Sequence, residues 1–560
     1  MIAGSPQTAA DKDRAAGPAG AEAAGKAEEP QPGTLPSKLA AGRRETAESM
    51  AARQREISVS EFFTKNRHLL GFDNPQKALL TTIKEAVDNS LDACEEAGIL
   101  PTLKIDVQQL AEDRFRIAVE DNGPGIVKAQ VPKIFGKLLY GSKFHTLKQA
   151  RGQQGIGISA AGMYGLLTTG KSVVVISCTG PGKPAHYYEI QIDTRKNAPQ
   201  IITDSVWEWE PPHGTRVEIE LVGTYKKGRH SLDDYVRQTA IANPHCEIFY
   251  TLPGADGVQH CPRASETLPP EPHAIKPHPY GVELGALIKM MKETRARNLA
   301  AALQRDFSRV SSRVAHEICA AAQLRPTANP HAIAVHEAER LYRAINSVKI
   351  MSPPTNCLSP IGEEQILSGM KKEIPASFFT AITRSPSVYR GNPFQIEVGM
   401  AYGGALPPEE LIDLLRFANR VPLQYQQSAC SITKAVLSID WRSYGLSMAK
   451  GALPSGPVTL FVHIASVWVP FTSESKEAIA AYPEIMKELR LALQDCGRRL
   501  AVHIRAHRRA VEEEKKKSYI ERYIPHIGIA LREILGRPEK AERQIVATLR
   551  EVLERSRTAS

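Results

Sequence analysis

A chain of 560 residues that is 42% hydrophobic is long enough for roughly three to four domains, each with its own core. It has no apolar run of about 18 residues, which argues against a membrane-spanning helix and a membrane partner. Lys and Arg outnumber Asp and Glu by 71 to 61, and 18 basic against 12 acidic residues fall between Glu484 and Ser560, a balance that favours nucleic acid or another acidic surface.

The start, MIAGSPQTAADKDR, has no apolar signal segment, so a cytosolic protein is expected. Residues 1–52 are rich in Ala, Gly, Pro and Glu and precede the first aromatic, Phe62, so they are expected to be a disordered tail. Order is expected near Ile57, with Ser58 or Ser60 as an N-cap for SEFFTKNRHLL. TIKEAVDNSLDA then reads as a helix with Glu85 and Asn89 one turn apart on a shared face. A strand pair follows, LKIDVQQL and RFRIAVED, closing in a Gly-Pro-Gly turn. A polar loop, a glycine-rich turn, the helix ISAAGMYGLL and the strands SVVVISC, HYYEIQI and TRVEIEL complete a largely antiparallel α+β sandwich over 53–260. Residues 274–346 show helical spacing throughout. Strands and helices mix again over 347–483, and 484–560 read as long amphipathic helices. The eight cysteines are scattered without a C-x-x-C pair, so buried, reduced thiols are expected and zinc is not.

Each candidate site residue has a functional and a plain reading. Glu85 can orient or deprotonate a water, with Asn89 offering an oxygen to Mg²⁺; both also fit a solvated helix face. Asp121, followed by Asn122 and Gly125, can accept from the exocyclic amine of a base, or can be a hairpin turn residue. The stretch Gly152, Gln153, Gln154, Gly155, Ile156, Gly157, Ile158 and Ser159 can cradle phosphates at a helix start, though it is neither a Walker A loop nor a G-x-G-x-x-G turn. Ser142 and Lys143 can contact phosphate from the preceding loop.

E-x-x-x-N, then D-N-G-x-G, then G-x-x-G-x-G, in that order, resembles the GHKL (Bergerat-fold) ATPase superfamily of gyrase-type topoisomerases, chaperones, histidine kinases and mismatch-repair proteins. His213-Gly214-Thr215 is similar to that family's later G-T element, which assigns Thr215 to adenine. The helical insert and Gln426-Gln427-Ser428-Ala429-Cys430-Ser431-Ile432-Thr433-Lys434 further resemble the B subunits of type IIB topoisomerases (topoisomerase VI). That resemblance implies an ATPase domain, a helix-two-turns-helix domain, and an α/β transducer domain with a long C-terminal helix. It implies ATP and Mg²⁺ as cofactors, Glu85 as catalytic carboxylate, Lys434 as the transducer lysine on the γ-phosphate, and a B–B homodimer that closes on ATP binding. It also implies an A₂B₂ assembly with a DNA-cleaving A subunit, double-stranded DNA as substrate, and a cytoplasmic, nucleoid-associated setting. A GHKL clamp of mismatch-repair or chaperone type, with no cleaving partner, is the alternative. Two basic clusters, Lys226, Lys227, Arg229 and His230, and Lys289, Lys292, Arg295 and Arg297, are candidates for DNA phosphates or plain solvated faces. Tyr519, Ile520, Tyr523, Ile524, Ile527 and Ile529 are candidates for docking the A subunit or for packing on the transducer.

Overall fold

The computed structural model describes residues 46–54, 57–143, 146–152, 155–228, 230–473 and 475–558. The chain divides into a unit ending at Glu56 and a second from Ile57 to Ser560. The expected disorder of residues 1–52 falls, up to residue 45, outside the described residues. From Thr46 the expectation is corrected: helix α1 (Ala47–Ala51) forms because Thr46 and Ser49 cap one another reciprocally.

In the second unit, Ser58 caps α2 (Val59–Lys65), its Oγ accepting from Glu61 N–H at 3.1 Å. Helix α3 (Pro75–Glu96) starts where Asn74 caps Lys77 N–H and Pro75 fills the first turn. Its buried stripe runs from Ala78 through Ile83, Val87 and Leu91 to Cys94. Strands β1 (Thr102–Ala111) and β2 (Arg114–Asp121) follow, then α4 (Val131–Gly136), α5 (Gly157–Thr169), β3 (Val173–Cys178), β4 (Ala185–Asp193), β5 (Ala198–Trp207), β6 (Gly214–Val222), α6 (Leu232–Ala242), β7 (Glu247–Thr251) and β8 (Gln259–Cys261). These strands make one sheet in the order β5-β4-β3-β6-β2-β1-β7-β8, antiparallel except for β1 beside β7. Helices α3, α4 and α5 pack on it around Leu79, Phe115, Val119 and Tyr188.

Helices α7 (Leu284–Glu293), α8 (Leu299–Asp306), α9 (Ser312–Ala321) and α10 (Val335–Ser347) close around a separate core of Leu287, Leu303, Ile318 and Leu341. Next come α11 (Glu363–Glu373), β9 (Phe378–Thr383), β10 (Ser387–Tyr389), β11 (Asn392–Tyr402), β12 (Asp413–Ala418), β13 (Val421–Pro422), α12 (Ser431–Leu437) and β14 (Val458–Ser466). Their sheet runs β10-β11-β14-β12-β13, with β9 also paired to β11. Every residue of β14 is buried, as suits the largely apolar segment VTLFVHIAS in a strand flanked on both sides within its sheet.

Helix α13 (Pro483–Ile534) is 52 residues, about 78 Å long. Its first turns bury Ile485, Leu489, Leu493, Cys496 and Leu500 against the second sheet. Past Ile504 it leaves that core, and α14 (Glu539–Thr558) folds back along it, with Arg532 paired to Glu542 at 2.8 Å. Tyr519, Ile520, Tyr523, Ile527 and Ile529 are exposed. Ile524 is not: at 3% exposure it is buried, which removes it from the candidate docking set. All eight cysteines are free and buried. Among the described residues no helix is long and apolar enough to cross a membrane.

Candidate functional site

A cavity of about 320 Å³ opens between α3, the end of β2, the start of α5 and the polar loop before it. That volume suits a compact organic ligand. Glu85, Asn89, Asp121, Gly125, Ser142, Lys143, Gly152, Gly155, Ile156, Gly157, Ile158, Ser159 and Thr215 all lie on its wall. Gln153 and Gln154 fall outside the described residues.

Glu85 and the first residue of α5 touch. A Cβ added to Gly157 would lie 1.7 Å from Glu85 Oε2, so a side chain at this helix start would have to displace the carboxylate. Ile156, at the N-cap, supplies no side-chain cap, which leaves first-turn N–H groups of α5 available at the cavity wall. A helix start of this kind accepts an anion through both its free donors and its dipole. Among the described residues, a Cβ added to Gly152 would meet only Asn89 Oδ1, at 3.8 Å. No group of three His, Cys, Asp or Glu among the described residues could hold a metal ion. A cation here therefore depends on Asn89, on the ligand's own oxygens and on water, which suits Mg²⁺.

At the other end, Asp121 closes β2 with a carboxylate that three protein donors hold in place. Ser90 Oγ donates to it at 2.7 Å, Gly123 N–H at 2.9 Å and Thr215 N–H at 3.2 Å. Burial pushes its carboxyl above the usual range, and those donors oppose the shift. Thr215 Oγ1 lies 3.1 Å from Ser177 Oγ, which accepts from Ile126 N–H at 2.7 Å. The result is a fixed acceptor flanked by hydroxyls, with Ile126, Ile134, Phe135 and Val217 as apolar walls: a slot for a flat heterocycle that donates an amine hydrogen. Gly125, at φ +71°, permits the close approach; its Cβ would stand 2.0 Å from Cys178 O.

Two expected residues are elsewhere. Asn122 does not line the cavity. Its Oδ1 accepts from Thr102 N–H at 2.8 Å and its Nδ2 donates to Leu100 O at 3.0 Å, so it ties the entry of β1 to the end of β2. Lys434 does not reach the cavity either. It sits on the exposed face of α12, whose Ser431, Ile432, Thr433, Ala435 and Val436 turn inward. The lysine that the second sheet does bring to the wall is Lys476, in the loop after β14, with Nζ 3.3 Å from Arg151 O. The signal for it in the sequence is a lysine in a serine-rich turn, PFTSESKEAI, following the fully buried strand β14. Lys434 offered the same pattern, a lysine after a polar break, and helical phase alone turns it outward.

Sequence reading also missed the charged support behind the wall formed by the polar loop and the start of α5. Lys143 pairs with Asp92 at 2.5 Å. Arg151, 3% exposed in its side chain, pairs with Asp92 at 2.8 Å and Glu95 at 2.6 Å. Glu95 also meets His245 Nε2 at 2.7 Å and Arg420 at 3.3 Å. Burial pulls the Lys143 ammonium down, but the Asp92 carboxylate more than offsets this and holds it above its ordinary value. Burial likewise opposes ionisation of Glu95, and Arg151, His245 and Arg420 overcome it, leaving Glu95 well below the usual carboxylate range. The basic clusters lie away from the cavity. Lys226, Lys227, Lys289, Lys292, Arg295 and Arg297 are exposed, Arg229 is outside the described residues, and His230 stacks on Tyr425 at 5.5 Å.

Two family models match the chain. Residues 74–222 match "Histidine kinase-, DNA gyrase B-, and HSP90-like ATPase", and residues 353–517 match "Topoisomerase VI B subunit, transducer". Relatives that are B subunits of type 2 DNA topoisomerase 6 align over most of the chain. That of Methanosarcina barkeri is 49% identical, covering 90% of this chain and 81% of the relative. That of Archaeoglobus fulgidus is 46% identical, covering 89% and 83%. That of Pyrococcus horikoshii is 38% identical, covering 87% and 93%.

Proposed function

The chain belongs to the family of type 2 DNA topoisomerase 6 B subunits, and from that premise we propose how its cavity drives DNA strand passage. It is the ATP-driven subunit of a type II topoisomerase, and the clamp without a cleaving partner is not favoured. The observation that carries the mechanism is Lys476: a cavity built otherwise by the ATPase sheet and its helices takes one cation from beyond β14.

Asp121 accepts from the adenine amine, with Ser90 and Thr215 fixing the carboxylate's direction. The α5 N-terminus, Ser142 and Lys143 hold the phosphates. Asn89 Oδ1, together with phosphate oxygens and water, would hold Mg²⁺, which would supply charge neutralisation as the diphosphate leaves. Glu85, pinned against Gly157, orients and deprotonates the attacking water. Lys476 reads the γ-phosphate, so ATP ties the ATPase sheet to the transducer and phosphate loss releases the tie, a ligand-controlled switch. Two B subunits close on ATP around a captured duplex, and a separate A subunit cuts the DNA within an A₂B₂ assembly in the cytoplasmic nucleoid. The exposed basic residues of 226–230 and 289–297 serve duplex phosphates, since passage must accept any sequence.

The test is relaxation of supercoiled DNA by this chain and its candidate A partner with ATP and Mg²⁺. Relaxation is expected only with both chains present. Glu85→Ala is expected to remove ATP turnover while keeping ATP-dependent dimerisation; undiminished hydrolysis by that variant rejects Glu85 as the base.

A further inference from the structure

Lys476 enters the cavity from a loop whose anchor lies outside the cavity wall. Phe471 and Ile479 are bridge partners, with Thr472 N–H donating to Ala478 O at 2.9 Å and Lys476 N–H to Ser473 O at 3.1 Å. Lys476 itself stands at φ +53°, a left-handed conformation that a residue with a side chain keeps only where its surroundings impose it. The next residue, Glu477, is 6% exposed. Its Oε1 lies 3.0 Å from Lys77 Nζ, in the first turn of α3.

Three groups surround the Lys77 ammonium. Besides Glu477 it meets Asp73 Oδ1 at 3.4 Å and lies 5.1 Å from the centre of the Tyr425 ring. Glu477 and Tyr425 come from two loops of the transducer, after β14 and after β13; Lys77 and Asp73 belong to the ATPase part. Burial pulls the ammonium down, and the two carboxylates more than offset it, so it stays charged. The loop has a second seat nearby: a Cβ built on Gly71 would stand 3.4 Å from Ser475 Cβ. Lys77 and Glu85 share one helix, eight residues and about 12 Å apart.

We propose that Lys77 is a positioning residue for the nucleotide-dependent step: its ammonium seats the Phe471–Ile479 loop on α3 and so delivers Lys476 to the cavity in register with Glu85. The transducer cannot withdraw Lys476 without first breaking this seat, which makes the Lys77 pair part of what γ-phosphate binding stabilises. The proposal rests on the reading of Lys476 as the γ-phosphate contact.

The test uses the full chain and two probes, ADP and a non-hydrolysable ATP analogue, with affinities measured by calorimetry. Lys476→Ala and Lys77→Met are each expected to lower the preference for the triphosphate over ADP by about tenfold, within the usual range of coupling between sites. ADP affinity itself stays unchanged. Lys77→Arg, which keeps the charge, retains the preference. The double variant falls no further than Lys476→Ala, because Lys77 acts through that residue. Wild-type preference in Lys77→Met beside a loss in Lys476→Ala overturns the proposal while leaving the Lys476 reading intact. Losses that multiply in the double variant, or an equal loss in Lys77→Arg, also overturn it. Undiminished preference in Lys476→Ala rejects the γ-phosphate reading and this proposal with it. Should Lys77→Met not fold, Glu477→Gln neutralises the other partner and carries the same expectations.

Discussion

A methyl group at position 157 has no room, and what excludes it is the side chain assigned to the chemistry. An alanine Cβ there would overlap Glu85 Oε2, whereas at Gly152 it would meet, among the described residues, only Asn89 Oδ1, at ordinary contact distance. Gly157→Ala must therefore push the carboxylate away from its water or move the start of α5. A displacement of that size at a reacting group costs about 100-fold in rate. We expect Gly157→Ala to lose at least that much ATP turnover and Gly152→Ala to lose far less, in steady-state phosphate release at saturating ATP. Equal effects at the two glycines would show that the loss comes from backbone freedom and not from the Glu85 contact.

Along α3 the same logic extends over six turns. One helix carries Lys77 at its start, Glu85, Asn89 and Ser90 along the cavity, and Asp92 and Glu95 toward its end, where they meet Arg151 and Arg420. From Arg420 the chain of contacts continues into the second sheet: its N–H donates to His463 Nε2 at 3.0 Å, and His463 Nδ1 meets Glu397 at 2.8 Å. Glu95→Gln leaves two nearly buried guanidiniums short of a charge, a loss of about 3 kcal/mol. The pH dependence follows from the direction of the shift. Because the folded Glu95 titrates well below 4.5, the unfolded chain binds its proton first as pH falls. The stability from its charge is thus whole above about pH 4.5 and is lost as pH drops through the folded value. Urea unfolding at pH 7 and pH 4 should show the gap between wild type and Glu95→Gln narrowing at the lower pH. The sequence made the near half of this helix legible, since Glu85 and Asn89 fall one turn apart beside glycine-rich turns. It did not reveal Asp92 and Glu95 as an acceptor pair, because their partners lie about 60 and 325 residues away. Asn122 and Lys434 misled for a related reason: a motif fixes which residues lie close along the chain, and hydrogen bonding and helical phase decide which of them face the cavity.

At the scale of the whole molecule, the second sheet reaches in two directions: back to the cavity through Lys476 and outward through α13. Past Ile504 that helix leaves the core of the second sheet and packs against α14, and Ile524 is buried there. Tyr519, Ile520, Tyr523 and Ile527, at spacings of one, three and four residues, form a stripe left exposed at 42% or more. Pairing with α14 does not need these side chains, and tyrosine and isoleucine in one stripe make a surface suited to a protein partner. If this stripe docks the A subunit, changing it must separate assembly from ATP chemistry. We expect Tyr523→Ser with Ile527→Ser to leave ATP hydrolysis and the melting temperature close to wild type, since neither residue touches a core. Co-elution with the A subunit in size-exclusion chromatography should be lost, and ATP-dependent relaxation with it. Retained co-elution would place the A-subunit contact elsewhere on the chain. Lost hydrolysis together with lost co-elution would instead mean that α13 transmits its packing to the transducer, and through Lys476 to the cavity, without any partner bound.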